Sequence, residues 1–420
     1  MKNIKEIKEH LDKKYQFRYN EVSTRVEFSL TNQEKFKPLN NRKLKSFFID
    51  LNSNKMNVSI SNLECLLSSD FSKDYNPFEI FFENLPIITG TSNIEALAET
   101  IKTHDNDFFI WAFTKWLVAM VGNMINENIT NHACIILSGN QGIGKSTWVR
   151  NLLPQPLKDY YYEGNVKIGS NDSLNYISSK CLINLDELAG MTFNKAKELK
   201  ELITKSNIEL RKAYAQLSEA FMRRASFIGS VNGTSFLFDL TGNRRFLSFE
   251  VLEFENSGNH NVDMNLVFAE AYQLYKNGFQ YWFDSEEQER IEKNNEQFIV
   301  YSADEVNFLK KFATVPLKEH DIKLYLDYYF IKQYAQEPQW KYEARKQEIQ
   351  DQINELAEPK YLTIPEIYFE LHRKDPSQYD SIRYGKILAK HKFEKKRTNT
   401  CTKYKVYDIA PNITLATDII

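Results

Sequence analysis

A glycine-rich segment directly after a short apolar run constrains the fold of this chain most strongly. The run Ala133–Leu137 is followed by Gly139-Asn-Gln-Gly-Ile-Gly-Lys-Ser-Thr-Trp148. The spacing of its glycines, lysine and serine matches G-x-x-x-x-G-K-S, the pattern of a loop that holds a triphosphate between a strand and a helix. Because residues 147–153 are compatible with a helix, the sequence predicts an α/β fold with a phosphate-binding loop.

The groups in this segment suit a nucleoside triphosphate and its metal ion. The glycines allow successive backbone N–H groups to point at the β-phosphate, and the following helix adds its positive end. Lys145 would reach the β- and γ-phosphates, and the Ser146 hydroxyl would ligate Mg²⁺. We therefore expect ATP and Mg²⁺ as cofactors. The residues expected to bind them are Gly139, Asn140, Gln141, Gly142, Ile143, Gly144, Lys145, Ser146 and Thr147.

Two adjacent carboxylates follow the apolar run Cys181–Leu185. Asp186 would hold the magnesium ion, and Glu187 would polarise the attacking water. Adjacent acids at the end of a strand are common, so the pair indicates a magnesium site only in combination with the glycine-rich loop that precedes it in the chain. Together the two motifs predict hydrolysis of the bound triphosphate.

Two further polar elements adjoin later strand-like runs. The run 227–231 ends in Asn232, whose amide would orient the water or contact the γ-phosphate, or would cap the next turn. Arg244 and Arg245 stand in a turn just before the run Phe246–Val251. One guanidinium could neutralise charge on the γ-phosphate in a neighbouring subunit, or the two arginines could be a surface pair.

These motifs and their order resemble the virulence-associated E (VapE/VirE-type) family of P-loop ATPases, which is similar to superfamily 3 and D5-type AAA+ helicases. The resemblance implies an AAA+-like ATPase that acts on DNA as a homo-oligomeric ring, with a hexamer as one candidate state. It also implies that Asn232 is a sensor and that Arg244 or Arg245 is a finger for the adjacent subunit. It covers roughly residues 75–300 and rests on LSGNQGIGKSTWVRNLL, CLINLDELAGM, FIGSVN, TGNRRFLSFEV and FAEAYQLYKNGFQYW.

The resemblance implies a Mg²⁺- and ATP-dependent DNA helicase or translocase in the replication of a phage or mobile genetic element. An ATP-gated DNA-binding initiator or phage-defence module without strand-displacing activity is the alternative. A nucleotide kinase would have no use for the arginine turn. Many family members carry a primase before the ATPase, but residues 1–100 show no acidic metal-binding signature. A separate primase is therefore a candidate partner.

Two regions are candidates for contact with nucleic acid, expected to be single-stranded DNA. Between the carboxylates and Asn232, Arg211 and Lys212 would follow a phosphate backbone while Tyr214 stacks on a base. In the resembling helicases this interval holds a hairpin or loop that faces the pore. Alternatively, Arg211 and Arg224 would serve the ATP site or a subunit interface.

The last 60 residues or so read as helix, helix and β-hairpin, the order of a winged helix. On the second helix we expect Ile382, Ile387 and Leu388 to face inward. Its basic residues would contact phosphates, with contact to a protein as the alternative. The candidates for phosphate contact are Lys386, Lys390, Lys395, Lys396 and Arg397.

Four regions follow from these patterns. They are an α+β accessory region (1–75), a helical lead-in (76–130), a P-loop AAA+-like ATPase domain (131–300), and a helical linker with a basic winged-helix-like domain (301–420). The expected fold class is thus α/β, with a P-loop AAA+-like core and parallel sheet, a helical N-terminal region and a C-terminal winged-helix-like domain.

Composition narrows the remaining possibilities. The formal net charge is −2, so any surface that binds nucleic acid must be local. The four cysteines form no CxxC pair, and Cys134 and Cys181 lie in apolar runs, so we expect buried thiols rather than disulfides or a metal site. The N-terminus lacks an apolar signal segment, and the apolar stretch Phe108–Val121 is short and contains Lys115. We therefore expect a cytoplasmic protein without a membrane span.

Overall fold

The computed structural model forms two compact units, Met1–Phe236 with Gly242–Asn295 (the larger unit) and Leu237–Thr241 with Glu296–Ile420 (the smaller unit). The residues that the structure describes are 4–33, 35–88, 90, 92–164, 166, 170–185, 188, 193–210, 219–233, 236–237, 243–314, 359–398 and 400–408.

In the larger unit the described helices are α1 (Ile4–Lys14), α2 (Asn41–Ser53), α3 (Ile60–Leu67), α4 (Pro77–Glu83), α5 (Asn93–Ala98), α6 (Asn106–Ile125), α7 (Lys145–Asn151), α8 (Asn171–Ser179), α9 (Phe193–Thr204), α10 (Met264–Lys276) and α11 (Ser285–Asn295). The described strands are β1 (Tyr15–Asn20), β2 (Arg25–Leu30), β3 (Lys37–Pro38), β4 (Lys73–Tyr75), β5 (Ile101–Thr103), β6 (Cys134–Gly139), β7 (Tyr161–Glu163), β8 (Leu182–Leu185), β9 (Asn207–Leu210), β10 (Glu219–Met222), β11 (Ser226–Asn232) and β12 (Phe246–Phe254).

A six-stranded sheet in the order β5-β12-β6-β11-β8-β7 lies at the centre of the larger unit. Neighbouring strands from β12 to β7 are parallel, and only β5 at the edge runs antiparallel to its neighbour. Every residue of β6 and β8 is buried, as expected for a parallel sheet that is covered on both faces. The structure is therefore a mixed α/β fold built around a largely parallel sheet.

The strand order gives β6 a special position. After β6 the chain crosses to the far edge at β7, returns through β8 and β11, and finally adds β12 on the other side of β6. The direction of strand addition thus reverses at β6. In open parallel sheets, ligands bind in the crevice outside the carboxyl ends of the strands at such a reversal.

Helix α6 fills the core beside this sheet. It begins at the N-cap Asp105, whose carboxylate accepts a hydrogen bond of 2.9 Å from the Phe108 backbone N–H. By length and composition it could cross a membrane, but 78% of its apolar window is buried inside the protein. The Lys115 ammonium within it lies 2.7 Å from the Glu287 carboxylate and is almost fully buried. The helix thus packs as the core helix of a folded unit.

The N-terminal part of the larger unit has its own sheet, in the order β3-β2-β1-β4. Helices α1 to α3 supply a separate core against it, centred on Phe47, Leu51 and Leu63. The side-chain amide of Asn20 joins this part to the central sheet region by donating a hydrogen bond of 2.8 Å to the Tyr160 hydroxyl. Residues 4–75 are therefore α+β.

The smaller unit has a compact core of aromatic and aliphatic side chains, including Phe308, Tyr384 and Val406. Its described elements are α12 (Ala303–Lys311), β13 (Phe312–Ala313), β14 (Lys360–Leu362), α13 (Ile364–His372), α14 (Gln378–Lys390), β15 (Lys395–Arg397) and β16 (Thr402–Asp408). Strand β16 pairs with β13, β14 and β15, and all three pairings are antiparallel.

The expected inward face of α14 needs one correction. Ile387 and Leu388 are buried as expected, but Ile382 is 54% exposed. The third buried residue is Tyr384, which forms one face with residues 387 and 388 at the three- and four-residue spacing of a helix. At 100° per residue, Ile382 lies on the opposite face from that stripe.

The cysteines match the expectation of unpaired thiols. All four are free, and Cys134 and Cys181 are fully buried in the central sheet region. Burial raises the pKa of both thiols, that of Cys181 to about 12. Both therefore stay protonated and unreactive at neutral pH.

Candidate functional site

The glycine-rich segment forms the connection between β6, which ends at Gly139, and α7, which begins at Lys145. The φ angles of Gly139, Gly142 and Gly144 are 141°, 82° and 111°. Side chains of L-residues rarely adopt these angles, so the curl of the loop depends on glycine at these positions. It lies at the carboxyl end of the strand where the sheet order reverses.

Two of these glycines also permit a close approach of backbone. A Cβ on Gly139 would lie 2.7 Å from the Val251 carbonyl oxygen in β12. A Cβ on Gly144 would overlap the Ser257 carbonyl in the turn that follows β12. A Cβ on Gly142 would meet nothing within 4 Å. The loop is therefore supported by β12 on one side and open at Gly142.

Lys145 places a buried ammonium over this loop. The residue is 6% exposed, and its Nζ donates hydrogen bonds to the Gly139 carbonyl at 3.0 Å, the Asn140 carbonyl at 2.7 Å and the Asn232 Oδ1 atom at 3.2 Å. All three donors are thus used on neutral oxygens. Burial lowers the pKa of Lys145 because desolvation penalises the charged form.

Asn232 reaches the loop because β11 runs parallel to β6. The register pairs Asn232 with Gly139, and the Gly233 N–H donates a hydrogen bond of 3.3 Å to the Gly139 carbonyl. The structure thus brings Asn232 and Lys145 together. The Asn232 amide oxygen accepts from the ammonium, and the Nδ2 donor of the same amide is the group that could contact a phosphate placed beside it.

The remaining residues expected at this edge are described only in part. Ser146 and Thr147 lie half-buried in the first turn of α7. Strand β8 ends at Leu185, paired with Gly229 of β11, and so runs toward the same edge of the sheet. Asp186 and Glu187, which follow it in the chain, lie outside the described residues. Within the described residues no group of three His, Cys, Asp or Glu side chains could hold a metal ion.

The two arginines lie at the opposite edge of the sheet. They sit in the short 3₁₀ turn Asn243–Arg245, and the next residue, Phe246, pairs with Cys134, the first residue of β6. Gly139 is the last residue of β6, and a six-residue strand is about 16 Å long. The structure therefore does not bring Arg244 or Arg245 to Lys145 within one chain.

The arginine edge borders a cavity of about 560 Å³. Arg244 is exposed and its Nη1 donates a hydrogen bond of 2.8 Å to Gln288, whereas Arg245 is half-buried. Burial, and then the neighbouring Arg244, lower the pKa of Arg245. Trp282, 56% exposed, lines the same cavity. Trp282 could not be predicted as a surface residue from the sequence, because it stands in a run of aromatic residues that is typical of a core.

The first region predicted to contact nucleic acid lies between two paired strands. β9 and β10 are antiparallel, with Leu210 opposite Glu219. Arg211, Lys212 and Tyr214, in the segment that joins them, lie outside the described residues. Arg224 donates a hydrogen bond of 2.7 Å to the Met124 carbonyl in the last turn of α6. It lies just before β11, at the amino-terminal edge of the sheet and away from Lys145.

The five basic residues predicted in the smaller unit are not equivalent. Lys386, Lys395, Lys396 and Arg397 are exposed. Lys390 instead lies 2.6 Å from the buried Glu305 carboxylate, which also contacts His391 at 2.6 Å. An ammonium held in such an internal pair is poorly placed to contact a phosphate.

Comparison with known proteins agrees with the motifs. The model of the virulence-associated protein E-like domain matches residues 83–300, which confirms the resemblance. Among solved structures, the chain is similar to an apo structure of the NrS-1 C terminal region at 14% identity and a TM-score of 0.49, covering 96% of this chain and 98% of that one. A second form of that region matches at 14% identity and a TM-score of 0.47, covering 95% and 98%. No curated protein matches the chain.

Proposed function

The chain belongs to the virulence-associated protein E-like domain family, and on this premise we propose that it is a Mg²⁺- and ATP-dependent motor that translocates on or unwinds DNA during replication of a phage or mobile genetic element. The observation that carries the proposal is the position of Lys145. Its buried ammonium lies at the carboxyl end of β6 and donates only to neutral oxygens among the described residues. A phosphate at the loop would replace these contacts with stronger charge-assisted hydrogen bonds.

The shape of the loop supports a triphosphate ligand. Its glycine backbone leaves the side at Gly142 open, so that N–H groups can approach phosphate oxygens closely. Ser146 and Asp186 would hold Mg²⁺, and Glu187 would polarise the attacking water while Asn232 contacts the γ-phosphate. Mg²⁺, when bound, supplies charge neutralisation on the β- and γ-phosphates. The larger unit would thus be a P-loop AAA+-like core.

The separation of the arginines from the loop supports a site shared between copies. Within one chain, a strand about 16 Å long lies between Arg245 and Gly139. In a homo-oligomeric ring the arginine edge of one copy would face the loop edge of the next. A guanidinium from that edge would then neutralise charge that develops on the γ-phosphate during hydrolysis.

The proposed nucleic-acid partner is single-stranded DNA. A separate primase in the cytoplasm is the proposed protein partner. The segment that joins β9 and β10 carries Arg211, Lys212 and Tyr214 and would contact the strand. The smaller unit, which we interpret as a winged-helix-like domain, would add the exposed lysines Lys386 and Lys396. These contacts would be mainly to phosphates and would carry little base specificity.

The test is ATP hydrolysis with and without single-stranded DNA. We expect the DNA to stimulate hydrolysis by the wild-type protein, and Lys145→Ala to abolish it while the protein remains folded by circular dichroism. Equal turnover with and without DNA, together with unwinding that survives Lys145→Ala, would refute the motor. Slow turnover with ATP-dependent assembly and no strand displacement would instead support an initiator or phage-defence module.

The shared site has its own test, in which two inactive proteins are mixed. One carries Lys145→Ala and the other carries Arg244→Ala with Arg245→Ala. We expect the mixture to recover part of the ATPase activity, because some interfaces combine an intact loop with an intact arginine edge. If mixed oligomers form by native mass spectrometry but no activity returns, the arginines do not act between subunits.

A further inference from the structure

The three-stranded part of the sheet in the smaller unit has two unlike faces. On β16, Tyr404 and Val406 pack into the core with Leu362 of β14. Because side chains alternate along a strand, residues 403, 405 and 407 lie on the other face. Directly opposed residues of antiparallel strands share a face. The register therefore assigns this outer face five members, which are Tyr361, Lys396, Lys403, Lys405 and Tyr407.

The charges of the outer face destabilise the folded sheet. Lys396 of β15 lies directly opposite Lys403 of β16, and like charges in that relation destabilise a sheet. The nearby acids only partly compensate. Glu394 is 3.6 Å from Lys405, and Glu366 is held by hydrogen bonds of 2.7 and 2.8 Å from Thr363 as a helix cap. An anion placed on this face would relieve the repulsion.

Aromatic rings lie among these lysines. The Lys396 Nζ lies 5.6 Å from the centre of the Tyr361 ring, and the Lys405 Nζ lies 5.6 Å from the centre of the Tyr407 ring. Tyr361 is 41% exposed and is the cross-strand partner of Lys405. The exposed Tyr361 ring, flanked by ammonium groups, offers a stacking surface for a base beside contacts for phosphates.

We propose that the outer face of Tyr361, Lys396, Lys403, Lys405 and Tyr407 is a binding platform for single-stranded nucleic acid, on which bases stack against tyrosine while the lysines contact the backbone. The inference deepens the proposed function, since it specifies the surface on which the smaller unit holds its strand. Only an unpaired strand can turn base faces toward a ring, so duplex DNA should bind this platform less tightly. Lys395 and Arg397 alternate with Lys396 on β15 and are assigned to the other side of the strand.

The experiment uses the full chain without nucleotide and measures fluorescence anisotropy with a 20-nucleotide oligo-dT probe. An oligo-rU probe of equal length tests whether single-stranded RNA binds as DNA does. A DNA duplex of equal length tests whether the strand must be unpaired. We expect Tyr361→Ala to weaken oligo-dT binding about 10-fold. Tyr361→Phe, which keeps the ring, should bind as the wild type does. Binding to the duplex should be weaker than to either single strand and unaffected by Tyr361→Ala.

The lysines are tested by salt dependence. The double change Lys396→Ala and Lys403→Ala should reduce the slope of log K against log salt by about 1.4, since each single-strand phosphate contact contributes about 0.7. The matched control is Lys395→Ala with Arg397→Ala, which removes the same charge from the same hairpin and should change the slope much less.

Two results would overturn the platform. One is wild-type affinity of Tyr361→Ala for both single strands. The other is an equal loss of slope in the control, which would mean that charge anywhere on the hairpin suffices. If Tyr361→Ala lowers the melting temperature, the lysine double variant and its control still decide whether the outer face binds the strand. Because no nucleotide is present, the result does not depend on whether the chain hydrolyses ATP.

Discussion

The Lys145 ammonium donates a hydrogen bond of 3.2 Å to the Asn232 Oδ1 atom, so the glycine-rich loop and strand β11 meet through their side chains. The parallel register makes this possible, because it pairs Asn232 with the last residue of β6. An amide in this place can follow a lysine that moves onto a phosphate. In the proposed reaction it would thereby link the neighbouring strand to the state of the loop.

Asn232→Ala should lower kcat for ATP hydrolysis by about 100-fold, the typical effect of removing one positioned polar group from a reaction centre. The Kd for ATP should change little, because the loop and Lys145 remain. Asn232→Asp is the informative companion: its carboxylate would pair with Lys145 and compete with the phosphate, so it should raise the Kd. Binding is measured with a fluorescent ATP analogue and turnover by phosphate release. Unchanged turnover in Asn232→Ala would mean that the amide takes no part in the reaction and only caps the next turn.

Gly144→Ala should destabilise the loop more than Gly142→Ala. Both positions have positive φ, so each alanine should cost about 1–2 kcal/mol of backbone strain. Only at Gly144 does the new methyl group also overlap the Ser257 carbonyl. Thermal melting followed by circular dichroism should show the larger fall in Tm for Gly144→Ala. Equal melting temperatures would mean that the turn after β12 can shift to admit the methyl group without a loss of stability.

Arg244 and Arg245 should have separable roles. Arg244 is exposed, so Arg244→Ala should lower ATP turnover by about 1,000-fold or more, as loss of an arginine finger does, at an unchanged Tm. Arg245 is half-buried, so Arg245→Ala should lower the Tm. Gln288→Ala is the control, since it removes the hydrogen-bond acceptor of Arg244 and leaves its charge. Full activity in Arg244→Ala, with inactive but stable Arg245→Ala, would reverse the assignment.

The smaller unit should lose stability in acid through Glu305. Burial alone would raise the pKa of this carboxyl group, but hydrogen bonds from His391 and Lys390 outweigh it, so the pKa lies below its ordinary value of 4.5. A group whose pKa is lowered by folding stabilises the fold at pH values above 4.5 and loses that contribution as the pH falls through its folded pKa.

Glu305→Gln tests this directly. It keeps the capping-box geometry with Ser302 and removes the titrating group. The variant should be less stable than the wild type at pH 7, and the difference should shrink as the pH falls below 4.5. Unfolding is followed by tyrosine fluorescence across the pH range. A difference independent of pH would mean that the ionised carboxylate contributes nothing.

The central strands could be predicted from the sequence because they are continuous apolar runs. All four predicted runs form strands, β6, β8, β11 and β12, and they are parallel neighbours in the central sheet. The three-residue strands β5 and β7 at its edges escaped prediction, since they are too short for a periodic signal. The meeting of Lys145 and Asn232 was predictable, because the carboxyl ends of parallel strands share one edge.

Other features depended on partners that are distant in the sequence. Lys390 looked like a free basic residue, but Glu305 neutralises it. Ile382 looked like a core residue because it is apolar, but it lies two residues from Tyr384, whose burial sets the inward face of α14. The outer face of β14, β15 and β16 depends on strand register, which local composition does not encode.

Strand β12 joins the two edges of the sheet that the proposed reaction would use. It begins at the residue after Arg245, its second half presents the Val251 carbonyl to Gly139, and the turn after the strand presents Ser257 to Gly144. If β12 moves as a rigid strand in the proposed reaction, a shift of the arginine turn would be transmitted to the support of the loop. Each copy in a ring would then sense its neighbour's phosphate at one end of β12 and adjust its own loop at the other. Strand β12 would thus couple neighbouring ATP sites mechanically, and the subunits of the ring would hydrolyse ATP one after another.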